Sequence, residues 1–125
     1  MSGSARGEMS ESPAVLITGG AGFIGTNLSA RLLALGEKVI VYDSLVRKGA
    51  RRNLEWLAKR FGAGLDVEIA DVRDAEKLRN AVQRADFVFH FAAQVAVTTS
   101  VHEPLFDFQQ NLLGTLNLLE AVRSI

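Results

Sequence analysis

The sequence predicts an α/β fold, a doubly wound parallel sheet of four strands in the order 3-2-1-4. Three observations predict it. Strand-like and helix-like segments alternate strictly from Ala14 onward, as β-α-β-α-β-α-β-α. Three of the four strand-like segments are continuously apolar, as strands covered by helices on both faces require, and only the third alternates apolar with charged residues, the pattern of a sheet edge. A glycine-rich turn joins the first strand to the first helix. Short connections and right-handed crossovers then leave the doubly wound layout as the simplest arrangement.

Each element has its own local reason. Residues 1–12 are mostly Ser, Gly, Ala and charged residues and read as a flexible leader, with order beginning near Pro13. Residues 14–18 and 38–42 are short apolar runs of the buried-strand type. Between them Ile24, Leu28, Leu32 and Leu35 mark one helical stripe, closed by Gly36 as a C-terminal cap. Leu54, Leu57 and Phe61 mark a second helix, ended by Gly62 and Gly64. In residues 65–70, Leu65, Val67 and Ile69 alternate with Asp66 and Glu68. Asp74 is placed to cap a third helix whose inner face is Leu78, Ala81 and Val82. Residues 87–91 are apolar apart from His90 and read as interior. A last helix starts at Pro104, a favoured first-turn residue, and carries Leu105, Phe108, Leu112, Leu116 and Leu119 on one side.

Composition removes several classes of function. At 125 residues the chain suits one domain with a hydrophobic core. Fourteen basic and fourteen acidic side chains cancel, so no general pull toward nucleic acid or anionic lipid exists. The absence of cysteine removes disulfides, thiolate nucleophiles and sulfur-bound metals. No apolar run approaches the ~20 residues of a membrane span. No signal-type block opens the chain, so a cytoplasmic location is expected.

The chemistry concentrates at Thr18-Gly19-Gly20-Ala21-Gly22-Phe23-Ile24-Gly25. Gly19, Gly22 and Gly25 are spaced G-x-x-G-x-x-G, one residue away from the dinucleotide fingerprint G-x-G-x-x-G. Both spacings meet the same demands: a tight turn, close approach of backbone to phosphate, and close packing of helix on strand. The N–H groups around Gly22, Phe23, Ile24 and Gly25, at the positive end of a helix, would receive a pyrophosphate. A P-loop also fits the glycine spacing from Gly20 to Gly25. It fails because Thr26 and Asn27 stand where Lys and Ser or Thr are needed.

Asp43 follows the second strand, eighteen residues past Gly25. A carboxylate there accepts both ribose hydroxyls of an adenosine and repels a 2′-phosphate, which favours NAD over NADP. Arg47 and Lys48 are the counter-signal. Asp71 and Val72 follow the third strand at the carboxyl edge, where an Asp side chain and its neighbour's backbone could hold adenine. An Asx-type cap leading to Asp74 is the other reading. Phe91, Ala92, Ala93 and Gln94 follow the fourth strand, and the two alanines would let a ribose–pyrophosphate approach. Small residues simply ending a strand are the alternative. His90 reads as a hydrogen-bonded core residue and His102 as a solvated one. Neither has metal-ligand spacing, so no metal site is expected. Arg47, Lys48, Arg51 and Arg52 read as a solvated helix entry, with a cofactor or substrate phosphate as the minority alternative.

The glycine segment, Asp43, Asp71-Val72, the run from His90 to Ala93 and the run from Asn111 to Ala121 together resemble the extended short-chain dehydrogenase/reductases, the group of nucleotide-sugar epimerases and dehydratases. The resemblance extends over residues 14–125. Residues 43–57, together with Gln94 to Ser100, Pro104 and Asp107-Phe108, are similar to the branch of CDP-paratose (CDP-tyvelose) 2-epimerases. Ser44 stands where that family often has Asn, and Ala70 where it often has Gly; Ser44 joins the cofactor residues on this basis. The resemblance implies a Rossmann domain that binds NAD and a nucleotide-sugar substrate. The bound NAD⁺ would oxidise a sugar carbon and return the hydride to the opposite face.

It also implies a Tyr-x-x-x-Lys pair for proton transfer. Here the one tyrosine is Tyr42, and Val46 stands four residues on. The expectation is therefore a partial NAD-binding domain over 13–125, the N-terminal portion of such an epimerase, with no catalytic residue of its own and no turnover alone. A stand-alone dinucleotide-sensing module is the competing reading. An apolar fourth strand without an outer neighbour would pair with another chain, so self-association is expected, and the apolar stripe of the last helix could also reach a partner.

Overall fold

The computed structural model describes residues 13–92, Leu105 and residues 109–125. The expected element order is present: β1 (Ala14–Thr18), α1 (Phe23–Ala34), β2 (Lys38–Asp43), α2 (Ala50–Phe61), a 3₁₀ turn (Gly62–Gly64), β3 (Leu65–Ile69), α3 (Ala75–Gln83) and β4 (Phe87–His90). A π-helical turn (Gln109–Leu113) then runs into α4 (Gly114–Arg123). All pairings are parallel and the strand order is β3-β2-β1-β4, the 3-2-1-4 order expected. The leader, Pro104 and Phe108 lie outside the described residues. No helix among the described residues is long and apolar enough to cross a membrane.

The pleat of the two central strands divides the core. Leu16, Ile40 and Tyr42 point to one face and meet Leu78, Val82, Leu118 and Ala121 of α3 and α4. Val15, Ile17, Val39 and Val41 point to the other and meet Leu33 of α1 and Leu57 of α2. Continuous apolar runs thus arise because alternate residues fill two different cores. The edge strand β3 behaves as its alternation predicts over Leu65, Asp66 and Val67, but Ile69 at its end is exposed.

Helix ends follow local chemistry. The Asp74 carboxylate accepts from Lys77 N–H at 3.2 Å and caps α3. After α1, Gly36 adopts φ +86° and donates its N–H to the Leu33 carbonyl, ending the helix as expected.

Two expectations need correction, the stripe of α1 and the interior reading of residues 87–91, and α4 shows a related effect. In α1 the predicted stripe holds in its middle and fails at its ends: Leu28 and Leu32 pack half-buried on the core, Ile24 and Leu35 are exposed, and Gly25, Thr26, Ser29 and Leu33 are the buried residues. The helix lies close to the glycine loop, and at that separation small residues fit where leucines cannot.

α4 repeats the lesson. Leu112, Leu116 and Leu119 are exposed, while Gly114, Leu118 and Ala121 are buried. A methyl group on Gly114 would collide with the Val72 side chain, so size again selects the face. Residues 87–91 are not interior either. β4 is the sheet's outer strand among the described residues, with Phe87 58% and Phe89 42% exposed.

Candidate functional site

The carboxyl ends of four parallel strands bring Thr18, Asp43, Ile69 and His90 to one edge of the sheet. Beyond Thr18 the chain turns sharply. Gly19 has φ +71° and donates its N–H to the Tyr42 carbonyl at 2.8 Å, and Gly22 N–H closes back on the Gly19 carbonyl at 3.0 Å. α1 begins at once.

Three glycines of the loop are hemmed in by the fold, Gly20 by Val41 Cγ1 at 2.9 Å and the Ile17 carbonyl oxygen at 3.0 Å. A Cβ on Gly19 would lie 2.7 Å from the Phe91 carbonyl carbon and 2.8 Å from Ala92 N, and one on Gly25 would strike the Gly19 carbonyl oxygen. Gly22 differs. Its φ is −79°, which any residue adopts, and an added Cβ would meet only the Gly19 oxygen, at 3.3 Å. As N-cap it offers no side chain to the first N–H groups of α1, and no acidic residue stands in that first turn. The positive end of the helix is therefore left without a counter-charge of its own. Phe23 and Ile24, which begin α1, are 83% and 61% exposed.

Asp43 ends β2 and its carboxylate turns onto the glycine loop. Oδ2 accepts from Ala21 N–H at 3.0 Å and Oδ1 from Leu45 N–H at 2.7 Å. Leu45 adopts φ +63°, a strained conformation for a leucine, two residues past the carboxylate that holds its N–H. Ser44 is half-buried between them. On the far side of the loop, Asn53 of α2 donates to the Ala21 carbonyl at 2.8 Å, and Thr26 Oγ1 donates to the Gly20 carbonyl at 3.3 Å. Neither residue emerged from the sequence. Asn53 sits one residue beyond a run of exposed arginines, where nothing local distinguishes it from another polar helix residue.

Asp71 takes the Asx-type geometry. Its Oδ1 accepts from Arg73 N–H at 2.8 Å and Nε at 3.0 Å, and its Oδ2 accepts from the Arg73 guanidinium at 2.8 Å. Those hydrogen bonds from Arg73 hold the carboxyl below its usual range against a smaller opposing effect of burial. The Val72 side chain is buried in the core and its carbonyl accepts from Asn117 at 3.0 Å. Tyr42 is fully buried and donates its hydroxyl to the Asp71 carbonyl at 2.8 Å. Burial, then the charges of Asp74, Glu68 and Asp71, push that phenol far up, so it stays protonated and cannot serve as an acid–base group.

Phe91 and Ala92 lie beside Gly19. Phe91 N–H donates to the Thr18 carbonyl at 2.9 Å and to its Oγ1 at 3.1 Å; Ala92 N–H reaches the same Oγ1 at 3.3 Å. Ala93, Gln94 and His102 lie outside the described residues. His90 is half-buried rather than in the core, is hydrogen-bonded on both ring nitrogens as expected, and burial lowers its pKa. Arg47, Lys48, Arg51 and Arg52 are all exposed around the start of α2. The described residues include no cluster of three or more His, Asp or Glu side chains fit to hold a metal.

The 3-2-1-4 sheet, the glycine turn running into an uncompensated helix N-terminus, and a carboxylate at the neighbouring strand tip define the doubly wound Rossmann class. More particularly, the chain belongs to the GDP-mannose 4,6 dehydratase family, whose model matches residues 16–125. It is 45% identical over 111 residues to CDP-paratose 2-epimerase of Salmonella typhi, across 87% of this chain and 32% of that protein. The crystal structure of UDP-glucose-4-epimerase from Stenotrophomonas maltophila with bound NAD and formylated UDP-arabinopyranose superposes with a TM-score of 0.80 at 34% identity, covering 89% of this chain and 33% of that one. The complex of the Thermus thermophilus UDP-glucose 4-epimerase with NAD gives 0.76 at 44% identity, covering 89% and 34%. The chain thus spans about a third of the length of the relatives it matches.

Proposed function

We propose that this chain is the dinucleotide-holding portion of an NAD-dependent nucleotide-sugar epimerase of the CDP-paratose 2-epimerase kind. The observation that carries the reading is Gly22. No backbone strain calls for a glycine there, and an added methyl would press only on the Gly19 carbonyl oxygen, at 3.3 Å, just inside ordinary contact. The missing side chain instead leaves room directly over the bare N–H groups of the first helical turn, which is what a pyrophosphate needs.

In this reading the N–H groups from Phe23 to Gly25 receive the pyrophosphate, Gly22 N–H being held by the Gly19 carbonyl. Asp43, already anchored by Ala21 and Leu45, presents its remaining lone pairs to the adenosine ribose and disfavours a 2′-phosphate. Ser44 lines the same end. Gly19 and Gly25 keep loop, helix and β4 close enough for one ligand to touch all three. Phe23 and Ile24 offer exposed apolar surface beside it, and Phe91 and Ala92 border the path toward the nicotinamide; Ala93 and Gln94, outside the described residues, are proposed with them as the next residues of the sequence. Val72 contributes only its backbone, and Asp71 reaches an adenine only where Arg73 shares it. When bound, NAD⁺ supplies a hydride acceptor and returns the hydride. These 125 residues supply no proton-transfer pair, because the one tyrosine is buried and bonded to a carbonyl. Binding without turnover is the expectation, and specificity for CDP-paratose rests on the likeness to the Salmonella enzyme.

The test is a calorimetric NAD⁺ titration of the 125-residue chain, with Gly22→Ala and Asp43→Asn beside it. Gly22→Ala should leave the unfolding free energy within about 1 kcal/mol of the parent, the scale of an N-cap change, and abolish measurable binding. Asp43→Asn should weaken NAD⁺ and narrow the preference over NADP⁺. Unchanged affinity in a folded Gly22→Ala chain would overturn the assignment.

A further inference from the structure

We propose that His90 is a positioning residue of the dinucleotide site: a neutral, one-way hydrogen-bond relay from the root of the glycine loop to the start of α4. The proposal rests on the dinucleotide reading above and adds a residue to it.

The direction of the relay follows from counting donors. Thr18 Oγ1 lies 2.6 Å from His90 Nδ1 and also accepts Phe91 N–H at 3.1 Å and Ala92 N–H at 3.3 Å. A hydroxyl has two lone pairs and one proton. At the other end Thr115 spends its one proton on the Asn111 carbonyl, so its oxygen must accept from His90 Nε2–H, and the neutral ring then has a bare Nδ1 that takes the Thr18 hydroxyl proton. Nδ1 is therefore the bare nitrogen and Nε2 carries the hydrogen. Nε2–H then faces Thr115 Oγ1 at 3.2 Å, and Thr115 passes its own proton on to the Asn111 carbonyl at 2.6 Å. Every polar atom along the relay is satisfied in this one direction.

The relay matters because of what Thr18 holds. The Phe91–Ala92 peptide it grips is the one Gly19 abuts, so the relay sets the spacing between β4 and the phosphate loop. A proton on Nδ1 would bring a further N–H to the Thr18 hydroxyl, in competition with Ala92 N–H, while Phe91 N–H keeps the Thr18 carbonyl at 2.9 Å. The Ala92 end of the peptide would loosen and the wall of the loop would shift.

Among the described residues, the elements around His90 present little charge. β1 offers Thr18, α4 offers Thr115, and β2 places Tyr42 opposite Thr18. Tyr42 stays neutral and Asp71 beyond it is held by Arg73. Burial of the ring is what lowers the His90 pKa, which agrees with a neutral relay.

Nitrogen-15 NMR of the histidine rings reads the tautomer without any ligand, so it decides the relay even where NAD⁺ does not bind. The expected result is an Nε2–H ring at neutral pH. Paired NAD⁺ titrations across the His90 titration then read the consequence. Affinity should fall about tenfold as His90 gains its proton, the loss of about one hydrogen bond's worth of positioning, and saturating NAD⁺ should lower the His90 midpoint in turn. His90→Asn, whose side-chain oxygen can still accept from Thr18, should keep the neutral-pH affinity within about twofold and lose the acid-side drop. His90→Leu should lose about tenfold at every pH. An Nδ1–H ring, or the same acid-side drop in His90→Asn, would overturn the relay.

Discussion

Replacing Gly19 by alanine tests the architecture of the phosphate loop most directly, because its effect can be separated into parts. The residue has φ +71°, and an alanine held there costs about 1–2 kcal/mol. The new methyl would also sit 2.7 Å from the Phe91 carbonyl carbon and 2.8 Å from Ala92 N, both backbone atoms in the β4 extension. Ordinary contact begins at 3.4 Å, so β4 and the loop must part by several tenths of an ångström. Overpacking of that kind costs about 1–3 kcal/mol, and the sum is roughly 2–5 kcal/mol. Two other glycines isolate the parts. Gly49 has φ +89° and nothing lies within 4 Å of where a methyl would sit, so Gly49→Ala should show the strain alone, about 1–2 kcal/mol. Gly62 has φ −53° and open space, so Gly62→Ala should be neutral or stabilise by up to about 1 kcal/mol. Urea unfolding followed through Trp56 fluorescence measures all three. Equal destabilisation by Gly19→Ala and Gly49→Ala would refute the close approach of loop and β4.

Other outcomes follow from the same geometry. Asn53→Ala removes the bond from α2 to the Ala21 carbonyl and should cost about 1 kcal/mol of stability, with a larger relative loss of NAD⁺ affinity than of stability; an unchanged Kd would show that the loop needs no tether from α2. The pH dependence has a definite sign. His90 folds with its pKa below the ordinary 6.5, so the unfolded chain takes the proton first, and the contribution is full above about 6.5 and is lost as pH falls below it. Asp71, held below 3.8 by Arg73, adds a second acid-side loss beneath that value. Tyr42 acts on the alkaline side: its stability contribution is present below 10.0 and is lost as pH rises past it. Thermal melts from acid to alkaline pH should fall at both ends, and a flat profile between about pH 4 and 7 would contradict the buried neutral histidine. Exposed Phe87 and Phe89 on an outer strand, with Leu112, Leu116 and Leu119 bare on the last helical segment, predict concentration-dependent self-association. Sedimentation velocity showing a monomer at every concentration would count against it.

The strands, their order, the glycine turn, Asp43 at the tip of β2 and the Asp74 cap were all legible in the sequence. Each is set by neighbours close along the chain: a run of apolar residues, a required φ, a side chain reaching three residues on. Helix faces were only partly legible in α1 and α4. A hydrophobic stripe reports where burial would gain most, and Leu28 and Leu32 do lie on the core, but these helices lie so close to the loop and to Val72 that glycine, serine and alanine take the inward positions, and Leu116 and Leu119 of α4 are turned out. The bond from Tyr42 to the Asp71 carbonyl, the tether from Asn53 and the path Thr18–His90–Thr115 join distant residues, and the Ala92–Thr18 bond beside that path spans 74 positions. Composition and spacing therefore determined the class of sheet and where its phosphate loop lies. Only the tertiary structure decided which faces touch and which hydrogen bonds hold the loop, because packing distance and donor direction exist only once distant segments meet.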